Sequence, residues 1–293
     1  MPKQTEIIYA TPSQPRQLRL DSTCECTATC MSCHRYISKR KGEMSLEFME
    51  TVLKDVARWE TPLSELVPVN YGDLFCRPDW LAVLQTCARI LPVTPITIVT
   101  NGALLSVADL GALTSIRTLK IMNFSVNAYF DETYVKFMGL DPSVIPQIRK
   151  VMSAIKIMRP DIRLKVSMVF DPRYQTDLER DYFEQYWASL VSFNPAFNKP
   201  DVWIIPAASA GRSDNVPYQP VLVPCRSIFS DIVVGFDGKL TSCCFDSGMV
   251  IDCGRYSGDL KKDWQNEQLT NLRKIHNSHQ RETINLCKRC SFG

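Results

Sequence analysis

The chain has 293 residues, of which 45% are hydrophobic and 22% charged, and its formal net charge is +3. These values are typical of a globular protein with a sizeable core, built as one large domain or as one large and one small domain. The mild charge gives no indication of nucleic-acid binding, and no run of about 18 apolar residues predicts a membrane span. The polar N-terminal segment lacks the apolar core of a secretory signal. The 12 cysteines therefore predict metal ligation in the cytoplasm rather than disulfides.

The first motif along the chain is a trio of cysteines spaced C-x3-C-x2-C, namely Cys26, Cys30 and Cys33. Three thiolates this close together can hold three corners of an iron–sulfur cube and leave the fourth iron open to a small molecule. A closed structural metal site requires four ligands. The trio therefore predicts a reactive site.

Short apolar runs rich in β-branched residues alternate with amphipathic patterns over the next part of the chain. The runs predict strands near Arg16–Leu20, Leu66–Tyr71, Ile96–Thr100, Leu119–Val126, Leu164–Phe170 and Val202–Ile205. The amphipathic patterns predict helices after Ser45 and at Asp79–Ile90, Ser106–Leu113, Val144–Met158 and Thr176–Val191. Such alternation indicates a parallel sheet with right-handed crossovers. Six strands are too few for a closed eight-stranded barrel, so we expect an α/β fold with a partial (β/α)6 TIM-like barrel over residues 1–206.

Residues 207–293 are predicted to form a second, small domain. A linker at Ala207–Pro224 precedes a β-hairpin with an Asp237-Gly238 turn, and a helix follows at Asp259–His276. Four cysteines are placed to meet there, namely Cys225, Cys243, Cys287 and Cys290. A tail this small needs a metal centre to hold it together, and four thiolates suit either zinc or a [4Fe–4S] cluster. Zinc is the default for an isolated tail, whereas the open trio upstream favours iron.

Together these motifs resemble the radical S-adenosylmethionine (SAM) enzymes, and the tail resembles the Twitch variant of their SPASM domain. The resemblance implies two [4Fe–4S] clusters and S-adenosylmethionine as cofactors. It also implies that the cofactor binds at the open iron of the trio's cluster. There it is cleaved to methionine and a 5′-deoxyadenosyl radical, which removes a hydrogen atom from a carbon of the substrate.

The resemblance also implies cofactor contacts at three strand ends. Thr100-Asn101-Gly102 corresponds to the family's ribose-contacting segment, and Ser125 and Asn127 correspond to the contact after the next strand. Gly72-Asp73 stands where the family has Gly-Glu-Pro, so Asp73 or another group is expected to bind the amino group of the cofactor. Ser32 stands where the family has an aromatic residue against the adenine, and His34 and Tyr36 are candidates to replace it.

Several reactions are compatible with these motifs. In the first, which resembles that of neomycin epimerase, Cys244 or alternatively Cys253 donates a hydrogen atom to the substrate radical and inverts the carbon. In the second, which resembles 2-deoxy-scyllo-inosamine dehydrogenase, a secondary alcohol is oxidised, the auxiliary cluster accepts an electron, and Asp171 or Arg173 binds substrate or removes a proton. A peptide could replace the small substrate in either case. A remote alternative is a non-catalytic metal-binding interaction module, in which Cys24 or His34 supplies a fourth ligand to the trio.

The expected partners are a substrate and a reducing protein. The N-terminus shows no obvious extension for binding a leader peptide, which favours a small carbohydrate-like substrate such as a sugar, aminoglycoside or aminocyclitol over a peptide. The electron donor is expected to be a flavodoxin or ferredoxin, and a basic run after the trio is either a solvated loop or its docking patch. This run consists of Arg35, Lys39, Arg40 and Lys41. We expect a monomer without nucleic-acid or membrane partners.

Overall fold

The computed structural model describes residues 7–33, 35, 40–207, 221 and 223–291. The strands are β1 (Gln17–Leu20), β2 (Glu65–Val67), β3 (Ile96–Thr100), β4 (Leu119–Ser125), β5 (Arg163–Phe170), β6 (Phe193–Asn194), β7 (Lys199–Pro200), β8 (Val202–Pro206), β9 (Asp231–Val234) and β10 (Leu240–Thr241). The α-helices are α1 (Leu46–Val56), α2 (Trp80–Ile90), α3 (Leu110–Ser115), α4 (Asp131–Met138), α5 (Val144–Met158), α6 (Asp177–Ala188), α7 (Leu260–Asp263) and α8 (Glu267–Asn277). None of the helices in this described part is long and apolar enough to cross a membrane.

Internal contacts divide the chain into two compact units. The first unit consists of Met1–Cys24, His34–Tyr71 and Ala208–Gly293. The second consists of Glu25–Cys33 and Gly72–Ala207. The second unit ends beside the domain boundary predicted at residue 206, and the assignment of residues 1–206 to one core domain stays a prediction.

The second unit contains a parallel sheet in the order β3-β4-β5-β8. Its strands are rich in β-branched residues, and Ile96, Ile98 and Val166 are fully buried in them. Helix α5 follows the 3.6-residue period and buries Ile148 and Met152. The parallel strands and intervening helices confirm the predicted α/β class. Because the strands run in one direction, their carboxyl ends bring several predicted cofactor contacts to one edge of this sheet.

The first unit places the tail hairpin beside the first strand of the chain. One edge of β9 pairs in parallel with β1, so that Leu18 lies opposite Ile232. The other edge of β9 pairs in antiparallel with β10, so that Leu240 lies opposite Val234. The other edge of β1 pairs in parallel with β2. The predicted hairpin is confirmed, and Gly238 in its turn has a φ of 80°. The hairpin extends the sheet of β1 and β2.

Some predicted elements are wrong in extent. β2 is shorter than the predicted Leu66–Tyr71, because Pro68 follows it and lacks the N–H that a strand needs. The single helix predicted over Asp259–His276 is two helices, since Asn266 begins α8 by accepting a hydrogen bond from Leu269 N at 2.8 Å. Helix α4 and the β6–β7 hairpin were not predicted. Most of the predicted linker at 207–224 lies outside the described residues.

Candidate functional site

The cysteine loop, Glu25–Cys33, belongs to the second unit. Its backbone is held by hydrogen bonds from Asp73 N to Glu25 O at 2.7 Å, from Thr29 N to Met138 O at 2.8 Å and from Met31 N to Phe137 O at 2.9 Å. A turn inside the loop is closed by Cys33 N, which donates to Cys30 O at 3.0 Å. Because these backbone groups are paired, the loop is fixed against the carboxyl end of α4 and the segment after Gly72.

The three cysteines of this loop are all partly exposed. Asn101 Nδ2 donates to Cys26 Sγ at 3.3 Å and lies 3.2 Å from Thr27 Oγ1. Cys30 Sγ lies 3.4 Å from the buried thioether of Met138. Three accessible thiols on one fixed loop are a donor set that fits a [4Fe–4S] cluster with one iron left without a protein ligand.

The other residues predicted around the trio are described only in part. Ser32 is buried, with 7% of its surface exposed. His34 and Tyr36, the candidates to pack on an adenine, lie outside the described residues, as does Lys39 of the basic run. Cys24, the candidate fourth ligand, is buried and belongs to the first unit.

Asp73 is buried, and its side chain lies beside the carboxyl end of β3. Hydrogen-bond donors surround its carboxylate there. It accepts hydrogen bonds from Thr100 Oγ1 at 2.8 Å, from Asn101 N at 2.8 Å and from Phe75 N at 3.1 Å. Burial raises the pKa of Asp73, and these three donors oppose that rise. Gly72 precedes it with a φ of 107°, a conformation that favours glycine. Asp73 therefore holds the Thr100–Asn101 segment in place, and its contact with a cofactor amino group stays a prediction.

Ser125 and Asn127 lie at the carboxyl end of β4. Asn127 has a φ of 64°, its Oδ1 accepts from Val169 N at 2.8 Å, and its Nδ2 lies 2.9 Å from Met138 Sδ. Ser125 is the last residue of β4 and pairs with Ser167 of β5. The Asn127 amide thus joins the end of β4 to β5 and α4. Cofactor binding by these two residues stays a prediction.

Asp171 and Arg173 form an ion pair directly after β5. Arg173 donates to the Asp171 carboxylate from Nε at 2.9 Å and from Nη2 at 2.7 Å. This hydrogen bonding raises the pKa of the Arg173 guanidinium. Asp171 is 2% exposed, whereas the Arg173 side chain is 32% exposed. The buried Asp171 carboxylate thus orients the guanidinium, and Arg173 is the more exposed member of the pair.

Five cysteines of the first unit line a single cavity, and Arg281 lines it with them. The cysteines are Cys225, Cys243, Cys244, Cys287 and Cys290. The four ligands predicted from the sequence are thus brought together, and Cys244 joins them as a fifth thiol. Within the described ranges, no three His, Cys, Asp or Glu side chains form a group that would hold a single metal ion.

Burial governs the protonation of these thiols. It raises the pKa of Cys225, raises that of Cys287 to about 12, and raises that of Cys243 well above its usual value. Neighbouring cysteines raise these pKa values further, whereas Arg281 lowers those of Cys225 and Cys287. Several thiolates at this place require cations among them, which the irons of a cluster would supply. The donor set fits a [4Fe–4S] cluster with one thiol to spare.

The two candidate hydrogen-atom donors differ in their surroundings. Cys244 lines the cavity and is partly exposed. Cys253 is fully buried, is absent from the lining of that cavity, and has its pKa raised to about 11 by burial. Cys87 is fully buried in α2 and belongs to the core. Of the two candidates, the structure favours Cys244.

Sequence reasoning missed two residues beside the tail cysteines. Arg281 is 2% exposed and lines the cavity. His276 is fully buried, and its Nδ1 accepts a hydrogen bond from Cys225 N at 3.1 Å. Neither residue stands in a recognisable motif. A basic residue shortly before the Cys287-x2-Cys290 pair was the only signal.

A separate groove of about 850 Å³ lies on the second unit, between Tyr129–Thr133 and Tyr186. It is lined by aromatic, acidic and proline residues. No residue of the cysteine loop and none of the predicted cofactor contacts lines it. The groove is therefore not part of the site described above.

Residues 225–291 match the family model of SPASM, an iron–sulfur cluster-binding domain. No curated protein matches the sequence. Among solved structures, BtrN in complex with AdoMet and 2-DOIA is similar, with a TM-score of 0.64 and 16% identity, covering 97% of this chain and 94% of that one. Streptococcus suis SuiB bound to the precursor peptide SuiA has a TM-score of 0.66 and 13% identity, covering 89% and 67%. Native anSMEcpe with bound AdoMet and the Cp18Cys peptide has a TM-score of 0.65 and 14% identity, covering 93% and 87%.

The tail cavity holds all four cysteines of the predicted auxiliary site within the segment that matches the cluster-binding model. The cysteine loop lies in the unit with the parallel sheet. The chain therefore has the fold of BtrN, SuiB and anSMEcpe, and its residues 225–291 match the model of the SPASM iron–sulfur cluster-binding domain.

Proposed function

We propose that the protein is a radical SAM enzyme with two [4Fe–4S] clusters. The observation that carries the proposal is the contrast between its two cysteine sets. Three partly exposed thiols on the cysteine loop leave one iron of a cluster open. Five thiols around the tail cavity are enough to close a second cluster. The fold is also that of BtrN and anSMEcpe, both of which are described with bound AdoMet.

The chain's own residues would then position the cofactor and the substrate. When bound, the first cluster and S-adenosylmethionine supply a 5′-deoxyadenosyl radical that takes a hydrogen atom from a substrate carbon. The Thr100–Asn101 segment, fixed by Asp73, would bind the ribose. The partly exposed guanidinium of Arg173, held in orientation by Asp171, would bind an oxygen of the substrate.

The reaction we favour is epimerisation of a small polar substrate, such as a sugar, aminoglycoside or aminocyclitol. The Cys244 S–H bond breaks and its hydrogen atom forms the new C–H bond on the opposite face of the substrate carbon. The sulfur is left one electron and one proton short of the thiol, and the reductant, a flavodoxin or ferredoxin, supplies the electron while solvent supplies the proton. Cys253 is fully buried and could not meet a substrate without local opening.

A second candidate is the two-electron oxidation of a secondary alcohol. It is favoured by the near-complete mutual coverage with BtrN, which is described in complex with 2-DOIA. The substrate would lose a hydrogen atom, a proton and one further electron, and the acceptor of that electron would lie in the tail cavity. A peptide substrate is the third candidate, since SuiB and anSMEcpe are described with bound peptides. A non-catalytic metal-binding module is the remaining alternative.

The reactions are separated by an isotope experiment on the anaerobically reconstituted full chain. The protein is incubated in D2O with S-adenosylmethionine, a strong reductant and a panel of aminocyclitols, aminoglycosides and peptides, and the products are analysed by mass spectrometry. Epimerisation predicts one deuterium on the product carbon, whereas oxidation predicts a product lighter by two hydrogens. A Cys26→Ala/Cys30→Ala/Cys33→Ala variant is the control. If the native chain releases no more 5′-deoxyadenosine than this variant, the radical SAM proposal is wrong.

A further inference from the structure

Arg281 connects the two parts of the chain that supply the tail cysteines. It begins a short 3-10 helix, Arg281–Thr283, just ahead of the Cys287-x2-Cys290 pair. Its Nη1 donates to Val223 O at 3.1 Å, two residues before Cys225. The side chain is 2% exposed and lines the cavity with the five cysteines. The guanidinium therefore lies between the two ends of the cysteine set.

A guanidinium in this position carries a permanent positive charge. Arginine does not deprotonate in proteins, and burial of an ion is unfavourable unless an opposite charge lies nearby. The thiols supply that opposite charge when they are ionised as ligands, and the net negative charge of a thiolate-bound cluster grows when the cluster is reduced. Arg281 lines the same cavity as Cys225 and Cys287, so its charge lies near these sulfur atoms.

The neighbouring histidine supplies no such charge at neutral pH. Its Nδ1 accepts the hydrogen bond from Cys225 N, so the proton of the neutral ring is on Nε2. Of the described residues that line the cavity, Arg281 is the cationic one.

We propose that Arg281 is a positioning residue for the auxiliary cluster. Its positive charge balances the negative charge of the cluster and raises the reduction potential of the cluster. The inference rests on the proposed function, because it requires a redox-active cluster in the tail cavity. Since the reduced cluster is more negative than the oxidised one, a fixed positive charge stabilises the reduced form more. The effect would let the auxiliary cluster accept an electron during turnover.

The test measures the midpoint potential of the auxiliary cluster in the full-length chain. In a Cys26→Ala/Cys30→Ala/Cys33→Ala background only the auxiliary cluster remains, so iron content and an EPR-monitored redox titration report on it alone. Arg281→Gln removes the charge, whereas Arg281→Lys keeps it. Lys288→Gln is the matched control, because it removes one positive charge from an exposed residue between Cys287 and Cys290, where solvent screens it.

We expect Arg281→Gln to move the midpoint potential to more negative values, with Arg281→Lys and Lys288→Gln close to the parent. Arg281→Gln could fail to retain iron. In that case, an Arg281→Lys variant that retains iron and has the midpoint potential of the parent still supports the charge role. Equal potentials in Arg281→Gln and the parent at full iron content would overturn the inference, as would equal shifts in Arg281→Gln and Lys288→Gln. If the parent itself binds no iron, the proposed two-cluster function is wrong, and the inference about Arg281 is wrong with it. The iron content of the parent alone identifies this outcome.

Discussion

Gly139 ends α4 directly against Thr29 of the cysteine loop. A Cβ atom at Gly139 would lie 1.8 Å from Thr29 Oγ1, and Gly139 has a φ of 64°. A Gly139→Ala substitution must therefore displace the loop and also adopt a left-handed conformation that costs alanine about 1 kcal/mol. We expect the variant to bind about half the iron of the native chain and to lose most S-adenosylmethionine cleavage, measured as iron per chain and as 5′-deoxyadenosine.

Gly111 provides the matched control for this substitution. It lies within α3, and a Cβ atom there would meet nothing within 4 Å. Alanine is favoured over glycine in a helix by about 1 kcal/mol, so Gly111→Ala should keep iron and cleavage and slightly raise the free energy of unfolding. If Gly139→Ala binds as much iron as Gly111→Ala, the close approach to Thr29 does not fix the cluster loop.

The carboxylate of Asp73 gives a second prediction. In Asp73→Asn one acceptor oxygen becomes an NH2 group, which would face either Phe75 N or the donors Thr100 Oγ1 and Asn101 N. A buried donor without an acceptor costs about 1–3 kcal/mol, so the Thr100–Asn101 segment should loosen. We expect weaker binding of S-adenosylmethionine by calorimetry, with the iron content unchanged. An unaltered affinity would show that Asp73 does not position this segment for the cofactor.

Local pattern predicted most of the second unit but little of what surrounds the tail site. The Ile96–Thr100 strand and the Val144–Met158 helix agree with their predicted bounds, because buried strands and amphipathic helices have strong periodicity. The pairing of β9 with β1 joins residues more than 200 positions apart, and no local pattern specifies such a register. Arg281 likewise reaches the cysteine cavity only through tertiary folding, so its role had no sequence signal beyond its charge.

Asp21 gives a prediction about pH. It is 1% exposed, and its carboxylate accepts from Arg40 Nη1 at 2.9 Å, yet burial raises its pKa to about 6 from the usual 3.8. Between these values the folded chain holds a proton that the unfolded chain releases, so stability is fully present below about pH 4 and is lost as the pH rises through 6. A shift of about two units corresponds to roughly 3 kcal/mol. The free energy of unfolding of the metal-free chain, relative to Asp21→Asn, should fall by about 2 kcal/mol from pH 4 to pH 6, with little further change above about pH 7.

The Arg40 side chain provides the control for the pH experiment. Its charge lowers the pKa of Asp21, so Arg40→Met should raise that pKa further and extend the loss of stability to higher pH. The comparison uses urea unfolding at pH 4, 5, 6 and 7 on each variant. A difference between the native chain and Asp21→Asn that stays constant over this range would contradict the raised pKa.

The five-thiol cavity gives the last prediction, which separates the ligand from the hydrogen-atom donor. A [4Fe–4S] cluster takes four thiolates, so one of the five thiols around the cavity is left over, and Cys243 is the predicted ligand of the adjacent pair. We expect Cys244→Ala to keep about eight irons per chain, to cleave S-adenosylmethionine and to release an oxidised or quenched product instead of the epimer. Cys243→Ala should lose auxiliary iron, and Cys253→Ala should keep both iron and turnover. Full iron in Cys243→Ala together with iron loss in Cys244→Ala would reverse the two roles, because the neighbouring thiol would then be the ligand.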